Sequence, residues 1–537
     1  MAITYRTSER LIALTAFAVG ALVCLPIVSI LYQAFVAPTD LWEHLVDTVL
    51  WNYLSNSASL VLGVALGVLL LGVPAAAMVA LFDFPARRAL SLALLLPLAC
   101  PAYILAFTYT GVLDVAGPFA GWLPQAWLSQ VRSLPGAVVM LSLVLYPYVY
   151  LLARASFLSQ STATMEVGRT LGLSPTASLF RLAIPMARPA IIAGLLLALM
   201  ETLADYGTVE FFGVPSFTTG IMRAYYGMGD AAAAAQLATT LLAFVALLVL
   251  LERYSRRKIR YYSAADASAS EQRVRLSGGW AVLAAALCAM PPLFGFFLPA
   301  GFMLYWSVTD ALGQWADLLP MAINSLVLAG VAALSIVFGS TAMGYAQRVI
   351  DAPWVRAASL VAGLGYALPG TIIAIGVLIP LAAVDRTLFI WVRDLTGQNI
   401  GLLFTGTLAA IVLAYGARFT AVSLGAITSG LSRIKPSLDE AATLAGLRPF
   451  QIMRRIHVPL MRASVLTATL IVFVDVLKEL PATLILRPFD FNTLAVRAYE
   501  LASDERLIDA APASLAIVLV GLIPVIYLNR SVTEEKH

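Results

Sequence analysis

The chain has 537 residues, 61% of them hydrophobic and only 12% charged, with a formal net charge of +4. Soluble domains carry roughly 25% charged residues, so a water-soluble globule is excluded and an integral membrane protein is indicated. Three cysteines (Cys24, Cys100, Cys288) and three histidines (His44, His457, His537) are scattered singly, which offers neither a disulfide framework nor metal-ligand spacing, and the charge pattern gives no reason to expect nucleic acid.

Apolar runs near the ~20 residues needed to cross a hydrocarbon core of ~30 Å fall near 11–36, 54–81, 89–113, 135–158, 189–212 and 232–252. Six more fall near 279–307, 322–347, 357–384, 400–424, 463–486 and 511–529. The first run is too long for a secretory signal and has no small-residue cleavage site before "APTDLWEHLVD", so it reads as a true span. With the N-terminus inside, most Lys and Arg fall on one side, including Arg6, Arg10, Arg87, Arg88, Arg348, Arg356 and the "RYSRRKIR" run from Arg253. The positive-inside rule then places both termini in the cytoplasm. The chain divides into a first half, 1–252, a basic, Ser/Ala-containing cytoplasmic linker, 253–278, and a second half, 279–537.

The halves repeat. An offset of 274 residues pairs Glu166 with Glu440, Gly172 with Gly446, Pro175 with Pro449, Arg181 with Arg455 and Pro185 with Pro459, without a gap. The same offset pairs Glu201 with Asp475, Asp205 with Glu479, and the "RAY" at Arg223 with that at Arg497. Earlier in each half an offset of 268 pairs Asn56-Ser57 with Asn324-Ser325, Asp83 with Asp351 and Pro101 with Pro369. Copies with an even number of spans make a parallel repeat, whose pseudo-twofold axis runs along the membrane normal and puts a substrate path between the halves.

The repeated cytoplasmic segments, "EVGRTLGLSPTASLFRLAIP" from Glu166 and "EAATLAGLRPFQIMRRIHVP" from Glu440, read as helix, glycine turn, helix, proline. Leu171, Leu173, Phe180, Leu444, Leu447, Phe450, Ile452 and Met453 are expected to form an apolar patch suited to docking in a groove. This glutamate–glycine–proline pattern resembles the EAA loop of permease subunits of ATP-binding-cassette importers, and Glu440-Ala441-Ala442 matches it letter for letter. The first copy departs from it at Val167 and Gly168. The resemblance implies that Glu166, Gly172, Pro185, Glu440, Ala441, Ala442, Gly446 and Pro459 form two coupling regions for two ATP-binding-cassette subunits. It also implies an all-α transmembrane fold of the type I importer permease (MetI-like) kind, with about 12 helices in two parallel-repeated six-helix halves. "ETLADYGTVEFFGVPSFTTGIMRAYYGMGD" from Glu201 and "VDVLKELPATLILRPFDFNTLAVRAYELASDE" from Val474 look like the fused permeases of ferric-iron importers. That likeness implies Fe3+ as the transported substrate, a periplasmic ferric-iron-binding protein as partner, ATP held on the separate subunits, no tightly bound cofactor, and a bacterial inner-membrane location. Thiamine permeases share the fused plan, and a thiamine-like cargo is the alternative.

Glu201 and Asp205, 13 and 17 residues beyond Arg188, are expected roughly 20 and 26 Å across a ~30 Å core. Four-residue spacing stacks them on one helix face, and Asp475 with Glu479 repeats the arrangement. Intramembrane carboxylates cost about 2.5–3.5 kcal/mol each, so they face a cavity or a partner. As hard oxygen ligands they suit a hard cation, with Glu201 and Asp205 the candidate metal contacts, while Lys478 can reduce the second pair to a structural ion pair. Tyr206, Tyr225 and Tyr499 are candidate phenolic contacts or interfacial belt residues. No GxxxxGK[ST] phosphate loop occurs, so the chain is not expected to be an ATPase or another enzyme. A self-sufficient secondary transporter is the alternative class, and it would have no use for paired docking loops.

Overall fold

The structure is a computed structural model that describes every residue except 1, 37–40, 114–116, 119–123, 125–129, 258–272, 351, 400 and 535–537. Nine helices among the described residues are long and apolar enough to cross a membrane, or eleven if each of two bent pairs is one span. A shorter apolar helix, Ala511–Ile526, adds one more. Each of the twelve expected spans meets one of these elements, and the chain is a multi-pass membrane protein.

Several expected spans are broken, in matched places. The run at 89–113 is Arg87–Ala99 followed by Ala102–Leu113 at 94°, with Pro101 at the corner, where it has no N–H to give and biases its predecessor away from helix. The run at 357–384 is interrupted at the matching place: Pro353–Ala362, a break that ends at Pro369, then the crossing helix Gly370–Thr396. The span expected from 400 begins at Leu408 instead. The stretch before it is pinned by the buried Asp385 carboxylate, which accepts from the backbone N–H groups of Leu403 (3.0 Å), Phe404 (3.0 Å) and Thr405 (2.7 Å). The Asp83–Asp351 correspondence and most of the linker, 258–272, lie outside the described residues. Where the linker's end is described, Val274–Arg275 pairs in parallel with Phe82–Asp83, tying the start of the second half to the first.

The first helix of each half packs on the other half. Ala2–Val36 lies against Gln314–Val349, Pro353–Ala362 and Gly370–Thr396. Gly376 lets it approach: a Cβ there would stand 2.5 Å from the Pro26 carbonyl oxygen. In the mirror arrangement Gly295, within Gly279–Thr309, lies against the first half, where a Cβ would stand 2.7 Å from the Leu143 carbonyl oxygen. The two main apolar cores accordingly each draw residues from both halves.

Candidate functional site

The site is built where one helix in each half stops inside the apolar layer. Ile184–Ala204 ends at Asp205, whose backbone is extended (φ −65°, ψ 132°), and Gly207–Phe211 begins two residues later. Arg462–Leu477 ends at Lys478, and Pro481–Leu486 follows. The N–H groups opening each short helix have no partner in that helix, and a carboxylate takes them up. Thr208 and Val209 donate to Asp205 (3.1 Å each), and the Thr208 hydroxyl donates at 2.9 Å. Ala482 and Thr483 donate to Glu479 at 3.0 and 3.1 Å, and the Thr483 hydroxyl at 2.9 Å. This corrects the expectation of carboxylates stacked along one helix face. Glu201 and Asp475 are on the helices, whereas Asp205 and Glu479 lie past the ends and cap the next ones.

All four carboxylates nevertheless line one cavity between the halves, with an empty volume of about 840 Å3, mouth included. Two cations line it as well. Lys478 Nζ is 2.8 Å from Asp475 Oδ1, the pairing anticipated for Lys478, and Arg418 Nη1 donates to Glu479 Oε1 at 3.1 Å. The Arg418–Glu479 pair is buried and crosses Gly370, where a Cβ would stand 2.5 Å from Arg418 Nη1 and 2.6 Å from Glu479 Oε1. At the repeat offset these cations face Val144 and Ala204, so the first half has no counter-charge of its own. Glu201 makes no hydrogen bond or ion pair among the described residues. No three His, Cys, Asp or Glu side chains among the described residues are grouped to hold a metal ion.

Tyrosines complete the lining. The Tyr148 and Tyr366 hydroxyls meet at 3.3 Å across the halves, and Tyr206, also in the lining, meets the hydroxyl of Tyr499 outside it at 3.3 Å. Sequence reasoning missed Tyr148, Tyr366 and Arg418. An arginine inside an apolar run was the legible signal for the last. At the end of the bundle away from the repeated loops, Arg132 donates to both Glu505 carboxylate oxygens (2.7 and 2.6 Å) and lies 4.7 Å from the centre of the Phe211 ring. The Arg132 hydrogen bonds hold the Glu505 carboxyl below its ordinary range.

The repeated loops form as expected. Gly172 (φ 70°) and Gly446 (φ 80°) occupy the left-handed position after a helix. The next residues close the same turn, with Leu173 N–H donating to Gly168 O (2.9 Å) and Leu447 N–H to Ala442 O (3.1 Å). The first copy's departure at Gly168 has a steric cause: a Cβ there would stand 2.2 Å from Ser178 Oγ. Leu171, Phe180, Leu444 and Phe450 are exposed, Leu444 at 90%. Ile452, expected in the same patch, is buried and faces the body of the protein. Glu440 and Ala441 are exposed and Ala442 is buried; Glu166 lies near the end of the long helix Leu134–Thr170. Pro185 sits in the first turn of Ile184–Ala204, whereas the segment holding Pro459, Pro449–Leu460, meets Arg462–Leu477 at 80°.

The second loop is clamped. Asp439 takes Arg348 Nε at 2.6 Å and is 2.5 Å from His457 Nε2, while Arg348 also donates to the Leu431 and Ile434 carbonyls. Burial pushes the His457 imidazole below its ordinary value, against the Asp439 hydrogen bond that raises it. The matching first-half positions are Ala80, Met165 and Ala183.

Residues 50–261 match the family described as "Binding-protein-dependent transport system inner membrane component". The chain is 25% identical to the Fe(3+)-transport system permease protein FbpB 2 of Haemophilus influenzae, over 95% of this chain and 96% of that one. It is 23% identical to the ferric transport system permease protein FbpB of Actinobacillus pleuropneumoniae, over 76% and 60% of the two chains. One stretch is 26% identical to the sulfate transport system permease protein CysW of Escherichia coli, over 42% of this chain and 80% of that one.

Proposed function

We propose that this chain, an inner-membrane permease of binding-protein-dependent importers, supplies both membrane halves of one importer and passes ferric iron by alternating access. The pair of matched loops carries the reading: two left-handed glycine turns, each with exposed apolar side chains beside it, at identical spacing. Two copies call for two ATP-binding-cassette subunits, one per loop, which sets both loops and both termini in the cytoplasm. A periplasmic ferric-iron-binding protein then delivers cargo at the end carrying Arg132 and Glu505. ATP-driven closure of the cassettes moves the loops together and biases the halves toward opening at that end, and the permease does no chemistry of its own.

Ferric iron is supported by the names of the relatives that span most of this chain and by the cavity, where four carboxylates stand against two cations. Hard oxygen donors with a negative balance favour a hard cation and disfavour an oxyanion such as sulfate. The test is to reconstitute permease, cassettes and binding protein, then titrate ferric iron and thiamine in parallel. Ferric iron alone should stimulate ATP hydrolysis. Stimulation by thiamine, or uptake that proceeds without cassettes, would overturn the reading.

A further inference from the structure

We propose that one station in the cavity recognises the cargo: the Glu201 carboxylate with the Tyr148 and Tyr366 hydroxyls, arranged for a hard, highly charged cation. This rests on the cavity being the path. An ionised carboxylate offers about four acceptor sites. Glu479 receives four donors, from Ala482, Thr483 N–H, the Thr483 hydroxyl and Arg418. Asp205 receives three and caps a helix, and Asp475 is neutralised by Lys478 at 2.8 Å. Asp205 and Glu479 thus hold the two helix breaks in shape, and Asp475 is paired with Lys478. Glu201, half-buried on the cavity wall, has no such employment among the described residues. A carboxylate at that depth without a partner is tolerated because it faces a wet cavity, where an arriving cation is its counter-charge.

The tyrosines add neutral oxygen donors and a state dependence. Tyr148 belongs to the first half and Tyr366 to the second, and both line the same cavity as Glu201. Their hydroxyls share one hydrogen bond at 3.3 Å, which leaves lone pairs on both oxygens. Moving the halves apart breaks that pair and withdraws one oxygen from Glu201. The station is therefore assembled in one state and dismantled in the other, which lets cargo leave. It is also single: Asp475, the counterpart of Glu201, is taken by Lys478, and Lys478 has only Ala204 opposite it in the repeat.

Terbium(III), a hard trivalent ion whose emission is sensitised by a nearby tyrosine, tests this on the full chain in uncharged detergent without any transport assay. Wild type should saturate at one ion per chain. Glu201→Gln should abolish the emission, Tyr148→Phe and Tyr366→Phe should each weaken it, and the double variant Asp475→Asn/Lys478→Met, which removes the ion pair without stranding either charge, should leave it unchanged. Lys478→Met, which frees Asp475, should add a second ion. In the reconstituted importer Glu201→Gln should cut ferric-iron uptake about 10-fold or more, the equivalent of about 1.4 kcal/mol of lost cation affinity. Full emission and full uptake in Glu201→Gln, or loss of emission in Asp475→Asn/Lys478→Met instead, overturns the station. An importer that ignores ferric iron but binds terbium through Glu201 overturns the iron reading and leaves the station standing.

Discussion

Replacing Gly446 by alanine isolates the turn proposed to couple to the cassette. The residue sits at φ 80°, and a Cβ built on it meets nothing within 4 Å, so the penalty is backbone conformation alone. Holding an L-residue in the left-handed region costs roughly 1–2 kcal/mol. That lowers the population of the docking-competent turn by a factor of about 5–30. Asparagine visits this region more readily, so Gly446→Asn should recover part of the loss. Gly172→Ala, at φ 70° and equally open, should do the same at the other loop. The assay is binding of the cassette subunit to reconstituted permease, read beside ATP-driven uptake. Each single alanine variant should weaken one of two binding steps by about 5–30-fold, and the double variant should lose coupled uptake. Alanine variants that bind like wild type, or asparagine variants as poor as alanine, would refute the argument that the turn's φ matters. Uptake that continues with no cassette bound would return the chain to the secondary-transporter class.

Arg418→Met should destabilise the protein by about 3–5 kcal/mol, because it strands the buried Glu479; adding Glu479→Gln should recover much of it, measured as the thermal midpoint in detergent. The Arg132–Glu505 pair gives a pH signature. Because the Glu505 pKa is lowered in the folded protein, its contribution is complete above the ordinary value of about 4.3 and fades as pH falls through the lowered one. The thermal midpoints of wild type and Arg132→Met should therefore differ by a constant amount near neutrality and converge at acid pH; a gap that widens in acid would refute this. His457, also lowered, should keep the second loop clamped above about pH 6.5 and release it on acidification. Tryptic cleavage at the exposed Arg454 and Arg455 should accelerate on acidification relative to Arg181, whose loop has no histidine; equal rates at both loops would contradict the clamp.

Much of this was legible in the sequence, because hydropathy and a gapless repeat report on span number and on paired loops. The glycine turns were legible for a local reason, since Gly172 and Gly446 close turns made of neighbouring residues. What was not legible depends on where helices stop. Counting 1.5 Å per residue past Arg188 presumed a continuous helix, and the chain leaves it at Asp205. Pro481 marks the break in the second half, but in the first only Gly207 hints at it, and the carboxylate that caps the next segment cannot be told from one on a continuous helix by composition. The partners of Glu479 and Tyr148 lie 61 and 218 residues away, so pairing them needs the packed fold. The non-equivalence of the loops was visible at Val167 and Gly168, but the clamp that separates them, Arg348–Asp439–His457, was not.

The exchange of first helices between the halves bears on how the protein is made. Pro26 must find Gly376, 350 positions later in the chain. At roughly 5–20 residues per second of synthesis, the opening helix waits in the bilayer for about 20–70 s before its resting place exists. Neither half is a finished folding unit at the ribosome, and the first must survive that interval with one apolar flank facing lipid. A single polypeptide keeps the waiting helix tethered to the half it packs against, whereas two separate chains would have to find each other in the membrane first.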